Sequence, residues 1–140
     1  MRLRRCRTSV LVVDASVIAP ALVDAGEFGA MASERLRGER LAAPDLLRLE
    51  VASVLRRHTA SGAISSRRAK TAIDDLMDLP IVVFPSQALL PRVWALRANF
   101  TSYDACYVAL AETLKCTLLT ADRRMAAAPG AKCRIELLQA

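Results

Sequence analysis

Four acidic residues stand where solubility alone does not require them. Asp14 closes the apolar run Val10 to Val13, and Asp122 follows Thr117-Leu118-Leu119-Thr120. Asp104 precedes seven residues, Ala105 to Ala111, that are all apolar or small, and Glu50 lies among Leu46, Leu47, Leu49, Val51 and Val54. A carboxylate in apolar surroundings is costly unless it is paired, hydrogen-bonded or bound to a metal. Each also has a structural role open to it. Asp14 and Asp122 can cap the helices that follow them, Asp104 can complete a Thr-x-x-Asp capping box from Thr101, and Glu50 can pair with Arg48 or Arg57. Two strand ends and two helical positions can nevertheless meet at one point of an α/β fold, and four clustered carboxylates repel unless cations sit among them. Hard oxygen donors without histidine or cysteine select Mg²⁺ or Mn²⁺. Such an ion beside a basic surface points to phosphate chemistry.

The basic surface is present: 20 Lys+Arg against 14 Asp+Glu give a net charge of +6, and only Lys70, Lys115 and Lys132 are lysines. Arginine forks match phosphate oxygens bidentately, although a biased genome accounts for an arginine excess equally well. Arg48, Arg56, Arg57, Arg123 and Arg124 are candidates for the phosphates of a polyanionic partner, with surface solubility as the competing role. Other chemistries lose their usual parts. No Gly-x-x-x-x-Gly-Lys-Ser/Thr, Gly-x-Gly-x-x-Gly or Gly-x-Ser-x-Gly stretch occurs, and His58 is the single histidine, beside Arg56 and Arg57 on a charged helix. Couples built on histidine are therefore hard to assemble. Cys6, Cys106, Cys116 and Cys133 form no Cys-x-x-Cys pair, so free thiols are expected and a zinc site is not.

The elements that must position the acids follow from periodicity. At 140 residues, 54% hydrophobic and 24% charged, the chain is expected to form one globular domain over residues 10–140 behind a basic extension of residues 1–9. Apolar stretches such as Val17 to Val23 fall short of the roughly 20 residues of a membrane span, so no membrane partner is expected. The basic start imitates a signal peptide, but Asp14 ends its apolar segment, so a cytoplasmic protein is expected. Short strands are expected at Val10 to Val13, Leu41 to Ala43, Ile81 to Phe84, Thr117 to Leu119 and Ile135 to Leu138. Between them lie helices: Ser16 capping one through Val23, Ala30 to Arg37, one opened by Pro44 and running towards Gly62, Ser65 or Ser66 to Leu79, Ser86 to Asn99, one opened by Thr101-Ser102, and Asp122 to Ala128. The apolar stripes are Ala69, Ala72, Ile73, Leu76 and Met77 in the fourth of these, and Tyr103, Cys106, Tyr107, Leu110 and Leu114 in the sixth. Strands separated by helices predict an α/β fold, a three-layer α/β/α sandwich on a mostly parallel sheet of about five strands. Ligands then collect at the carboxyl ends of the strands, where Asp14 and Asp122 fall.

Four segments, in order along nearly the whole chain, resemble the motifs of the PIN-domain ribonucleases, and within them the VapC toxins of bacterial type II toxin–antitoxin pairs. Val12-Val13-Asp14-Ala15-Ser16 resembles the first, and Ala43-Pro44-Asp45-Leu46-Leu47-Arg48-Leu49-Glu50-Val51 the second. Tyr103-Asp104-Ala105 with Tyr107-Val108-Ala109-Leu110-Ala111-Glu112 resembles the third, and Leu119-Thr120-Ala121-Asp122-Arg123-Arg124 the fourth. The resemblance implies that Asp14, Glu50, Asp104 and Asp122 hold one or two Mg²⁺ or Mn²⁺ ions, with Ser16 and Thr120 supporting them. It also implies endonucleolytic cleavage of RNA, with tRNA, rRNA and mRNA all open, as well as homodimerisation and inhibition by a cognate VapB-type antitoxin laid across the acidic site. The same site would serve a nuclease of RNA maturation, and the fold alone would serve a module that binds RNA without cutting it. A receiver-like phosphoacceptor domain is disfavoured, because Asp14 has no acidic neighbour and no lysine follows Thr117 to Leu119. Met1 to Ser9, with Arg2, Arg4, Arg5 and Arg7, departs from the family pattern as either an RNA-binding tail or a product of start-codon choice. Glu112, two turns beyond Asp104, is expected to be an exposed helix acid.

Overall fold

The computed structural model describes residues 10–140, so the basic extension and Cys6 lie outside the described residues. Strands β1 (Val10–Val13), β2 (Arg40–Pro44), β3 (Ile81–Phe84), β4 (Thr117–Thr120) and β5 (Ile135–Leu137) form one parallel sheet in the order β3-β2-β1-β4-β5. The first strand is thus the central one, with Leu11, Val12 and Val13 buried between β2 and β4. Crossover helices cover both faces of an all-parallel sheet, which explains why its strands read as continuous apolar runs. From β1 the chain winds outward to β3 and later returns to add β4 and β5 on the other side. The β1–β4 junction is therefore the switch point of the sheet, where the carboxyl ends of neighbouring strands open a crevice.

Seven α-helices flank the sheet: α1 (Ala15–Val23), α2 (Glu27–Leu36), α3 (Leu47–Ala60), α4 (Ser66–Asp78), α5 (Leu90–Ala95), α6 (Ser102–Leu114) and α7 (Arg123–Ala127). Helix α6 packs against β1, β2 and β4, and every residue from Ala105 to Ala111 is buried. A helix apolar all round is a core helix, and the single face expected from Tyr103 to Leu114 is corrected accordingly. Tyr103, placed on that face by spacing, is 64% exposed. Met77 likewise leaves the expected stripe of α4 at 70% exposure.

Several boundaries move for identifiable reasons. Asp14, not Ser16, caps α1, its carboxylate accepting from the Ser16 N–H. Helix α2 begins at Glu27 rather than Ala30, because the Asp24 carboxylate accepts from the N–H groups of Gly26 (2.8 Å) and Gly29 (3.1 Å) and so shapes its entry. A Cβ on Gly29 would lie 2.0 Å from the Asp24 carbonyl oxygen, so that close approach requires glycine. Pro44 ends β2 opposite Phe84 instead of opening α3, and the Asp45 N–H supplies the next ladder bond to the Phe84 carbonyl at 2.9 Å. A proline at a strand end loses nothing that its successor cannot provide. The helix expected from Ser86 to Asn99 is a 3₁₀ turn at Gln87–Leu89 followed by the short α5. Cys106, Cys116 and Cys133 are free thiols, and no single helix among the described residues is long and apolar enough to cross a membrane.

Glu112 corrects a further expectation. Its carboxylate is largely buried and takes two bonds from the Arg92 guanidinium, at 2.7 and 3.1 Å, and one from the Lys132 N–H at 2.7 Å. The cluster ties α6 to α5 and to the loop before β5. Burial raises the Glu112 carboxyl, but Arg92 and the Lys132 N–H outweigh it and hold the group below its ordinary 4.5. A carboxylate lowered on folding stabilises the protein above its unfolded pKa and loses that contribution as pH falls through the folded value. Glu112→Gln is therefore expected to reduce stability by about 1–2 kcal/mol at pH 7 in urea denaturation. The difference from wild type should shrink as pH drops below 4.5.

Candidate active site

The switch point carries an acid fixed from two sides. Asp14 directly follows β1 and is only 7% exposed. Its Oδ1 accepts from the Ser16 N–H at 3.2 Å and from the Ser16 hydroxyl, and its Oδ2 accepts from the Thr120 hydroxyl at 2.6 Å. The two hydroxyls are committed in turn. Ser16 Oγ accepts from the Ala121 N–H at 2.8 Å, and Thr120 Oγ1 accepts from the Asp122 N–H at 3.1 Å. Each hydroxyl thus spends its one proton on Asp14 and presents its lone pairs to the β4–α7 turn. The sequence assigned Ser16 and Thr120 a supporting place, and the structure puts both in direct contact with Asp14.

The other three acids come from the amino ends of helices. Glu50 lies in the first turn of α3, half-buried, and its Oε1 accepts from the Tyr107 hydroxyl at 2.6 Å. The ion pair with Arg48 or Arg57 that its spacing allowed is absent among the described residues. Asp104 lies in the first turn of α6, with its N–H on Thr101 Oγ1 at 3.1 Å, so the Thr101 half of the capping box forms. Asp122 caps α7 through Oδ1, which accepts from the N–H groups of Arg124 (2.9 Å) and Met125 (3.3 Å). Capping and membership of the cluster are therefore compatible, since Asp14 and Asp122 do both.

Electrostatically the four acids form one chain. Burial pushes Asp14 above the usual carboxylate range, the Ser16 and Thr120 hydroxyls oppose this, and the Asp104 charge adds to it. Burial also raises Glu50, against the Tyr107 bond and with the charges of Asp14 and Asp104. Asp104 is raised by burial and then by Asp122. No ion pair among the described residues offers any of the four a cation. Among the described residues no three His, Cys, Asp or Glu side chains are gathered closely enough to form a metal shell as they stand. Mg²⁺ keeps several of its waters and takes one or two carboxylates directly, so a spaced, all-oxygen set with unrelieved repulsion suits that ion.

A cleft of about 430 Å³ opens beside Glu50, lined also by Ala15, Leu46, Leu49, Val54 and Tyr103, with Arg57 on its wall. Leu49 is 74% exposed on it. Ala15 and Val54 also line a second cavity of about 620 Å³ that includes Ser16 and His58, so the two adjoin. Of the other candidate arginines, Arg56, Arg123 and Arg124 are exposed and Arg48 is half-buried. The residue that sequence reasoning missed is Tyr107, counted there only as apolar. The available signal was a phenol inside a helix apolar on every side, because a buried tyrosine hydroxyl needs a partner.

The PIN domain family matches residues 11–131. Ribonuclease VapC1 of Mycobacterium tuberculosis is 43% identical over 129 residues, which is 91% of this chain and 97% of that protein. The VapC ribonuclease Mb0985 of Mycobacterium bovis is 37% identical over 92% of this chain and 98% of its own. The crystal structure of VapBC2 from Rickettsia felis, bound to a DNA fragment from their promoter, includes a chain that superposes with a TM-score of 0.67 at 12% identity, covering 93% of this chain and 99% of that one. The sheet order, the acids at its switch point and these similarities agree, and the chain belongs to the PIN-domain family and, within it, to the VapC ribonucleases.

Proposed function

We propose that this protein is the toxin of a type II toxin–antitoxin pair, an endoribonuclease that depends on Mg²⁺ or Mn²⁺ and is restrained by a VapB-type antitoxin. The observation that carries this reading is Asp14, buried at the junction of β1 and β4, tied to Ser16 and Thr120 and repelled by Asp104 with no ion-paired cation among the described residues to relieve it. Asp14, Glu50, Asp104 and Asp122 would hold the ion. Bound there, it would lower the pKa of a water and offset charge building on the scissile phosphate. The chain's own part is positional: the Ser16 and Thr120 hydroxyls lock the Asp14 carboxylate in place, and the Tyr107 hydroxyl tethers Glu50. Arg57 on the cleft wall, with the exposed Arg56, Arg123 and Arg124, supplies donors for the phosphates of RNA. The VapBC2 pair among the structural neighbours supports an antitoxin partner, and the apolar cleft beside Glu50 offers such a chain a seat. A cytoplasmic homodimer fits the same reading.

Purified protein free of antitoxin should cut total bacterial RNA at discrete positions with Mg²⁺ or Mn²⁺, and EDTA should abolish the cuts. Asp14→Asn keeps the shape of the ligand without its charge and is expected to lower the cleavage rate at least 100-fold. Cleavage that survives both EDTA and this variant would overturn the assignment. A melting experiment checks the same site without substrate. Because folding raises the Asp14 pKa above 3.8, stability falls as pH rises from 3.8 through the folded value, and a penalty is present at pH 7. Without divalent ions Asp14→Asn should therefore melt no lower than wild type at pH 7. Added Mg²⁺ at 100 times its Kd should stabilise wild type by about 2.7 kcal/mol and leave the variant unmoved.

A further inference from the structure

Tyr107 is among the largest fully buried side chains of the described residues, 1% exposed within α6. Its ring belongs to the core, but its hydroxyl is aimed out of α6 at the carboxylate of Glu50 on α3, 2.6 Å away and 57 residues distant in the chain. That length is typical of a hydrogen bond to a charged acceptor. A phenol is protonated at neutral pH, so Tyr107 donates and Glu50 accepts through Oε1. No other hydrogen bond reaches the Glu50 carboxylate among the described residues, and none of them donates to Oε2. Glutamate has three side-chain torsions, and Asp14 and Asp104 both repel this one. Among the described residues the Tyr107 hydroxyl is the one hydrogen-bond donor that holds the carboxylate against that repulsion.

We propose that Tyr107 is a positioning residue for the metal site, fixing the Glu50 carboxylate through Oε1 so that it is held ready for a cation. The inference rests on the reading of the four acids as that site. Hydrogen-bond partners behind a metal ligand are commonly worth 10- to 100-fold in metal affinity. In this protein the partner comes from a different helix than the ligand, so the Tyr107–Glu50 bond ties α6 to α3.

The test titrates Mn²⁺ into metal-free protein by calorimetry for wild type, Tyr107→Phe, Glu50→Gln and the double variant. Phenylalanine fills the same core volume, and thermal melts followed by circular dichroism verify that each variant is folded. Tyr107→Phe should bind Mn²⁺ about tenfold more weakly. In RNA cleavage it should need about tenfold more metal for half-maximal rate while reaching a similar maximal rate. The double variant should bind no more weakly than Glu50→Gln alone, because Tyr107 acts through Glu50. Unchanged Mn²⁺ affinity in Tyr107→Phe, beside normal binding by wild type, overturns the role of Tyr107 alone. Further weakening in the double variant does the same. A wild type that binds no Mn²⁺ overturns the metal-site reading and this inference with it. A measurement on the unaltered chain stands beside the variants: the Tyr107 hydroxyl proton, protected by its bond, should shift in the NMR spectrum on adding Mg²⁺, and an unmoved resonance contradicts the proposal.

Discussion

The placement of a negative charge at the end of the central strand is the constraint around which this protein is organised. Asp14 is nearly as buried as the valines that precede it, and burial of a carboxylate is tolerated only with hydrogen-bond donors at hand. The donors come from two directions, Ser16 in the first turn of α1 and Thr120 at the end of β4, so Asp14 stays in place only when strand, helix and neighbouring strand are all assembled. Each hydroxyl then accepts from an N–H of the β4–α7 turn, which brings Asp122 to the same edge. Glu50 and Asp104 approach from the amino ends of α3 and α6, where the helix dipole favours negative charge. Local stability would be better served by neutral side chains at several of these positions. Burial raises Asp14, Glu50 and Asp104 above the usual carboxylate range, and the charges of neighbouring acids add to it.

The fold was largely legible because its dominant signals are strong. An all-parallel sheet buries its strands on both faces, and β1 and β3 were readable residue by residue as β-branched runs between punctuating residues. Boundaries failed where a side chain, rather than a periodicity, sets them. The Asp24 carboxylate starts α2 early, and Pro44 was taken for a helix opener because helices accept proline there, although a strand end accepts it equally well. Glu112 failed for a related reason: an acid in the later turns of a helix looks solvated until Arg92, 20 residues away, is seen to meet it.

The four acids were legible because each violates the apolar pattern around it, and the two strand-end positions follow from topology. What spacing could not show is how they are held. The Asp14–Thr120 bond spans 106 residues and the Tyr107–Glu50 bond 57, and such contacts leave no periodic trace in a single chain. Tyr107 in particular was hidden by its own ring, which satisfies the apolar pattern while the hydroxyl does something else.

The order β3-β2-β1-β4-β5 has a consequence for how such a protein comes into being. The strand that carries Asp14 is the first described element to leave the ribosome, yet its partner β4 and the hydroxyl of Thr120 are among the last. During synthesis the growing polypeptide can pair β1 with β2 and β2 with β3, but it cannot complete the crevice until residue 120 has emerged. A chain that stops before Thr120 lacks one of the two hydroxyls that hold Asp14, and Asp122 with it. The winding of the sheet thus acts as a timer, which delays the completed crevice until the chain has returned from one edge of the sheet to lay β4 against β1.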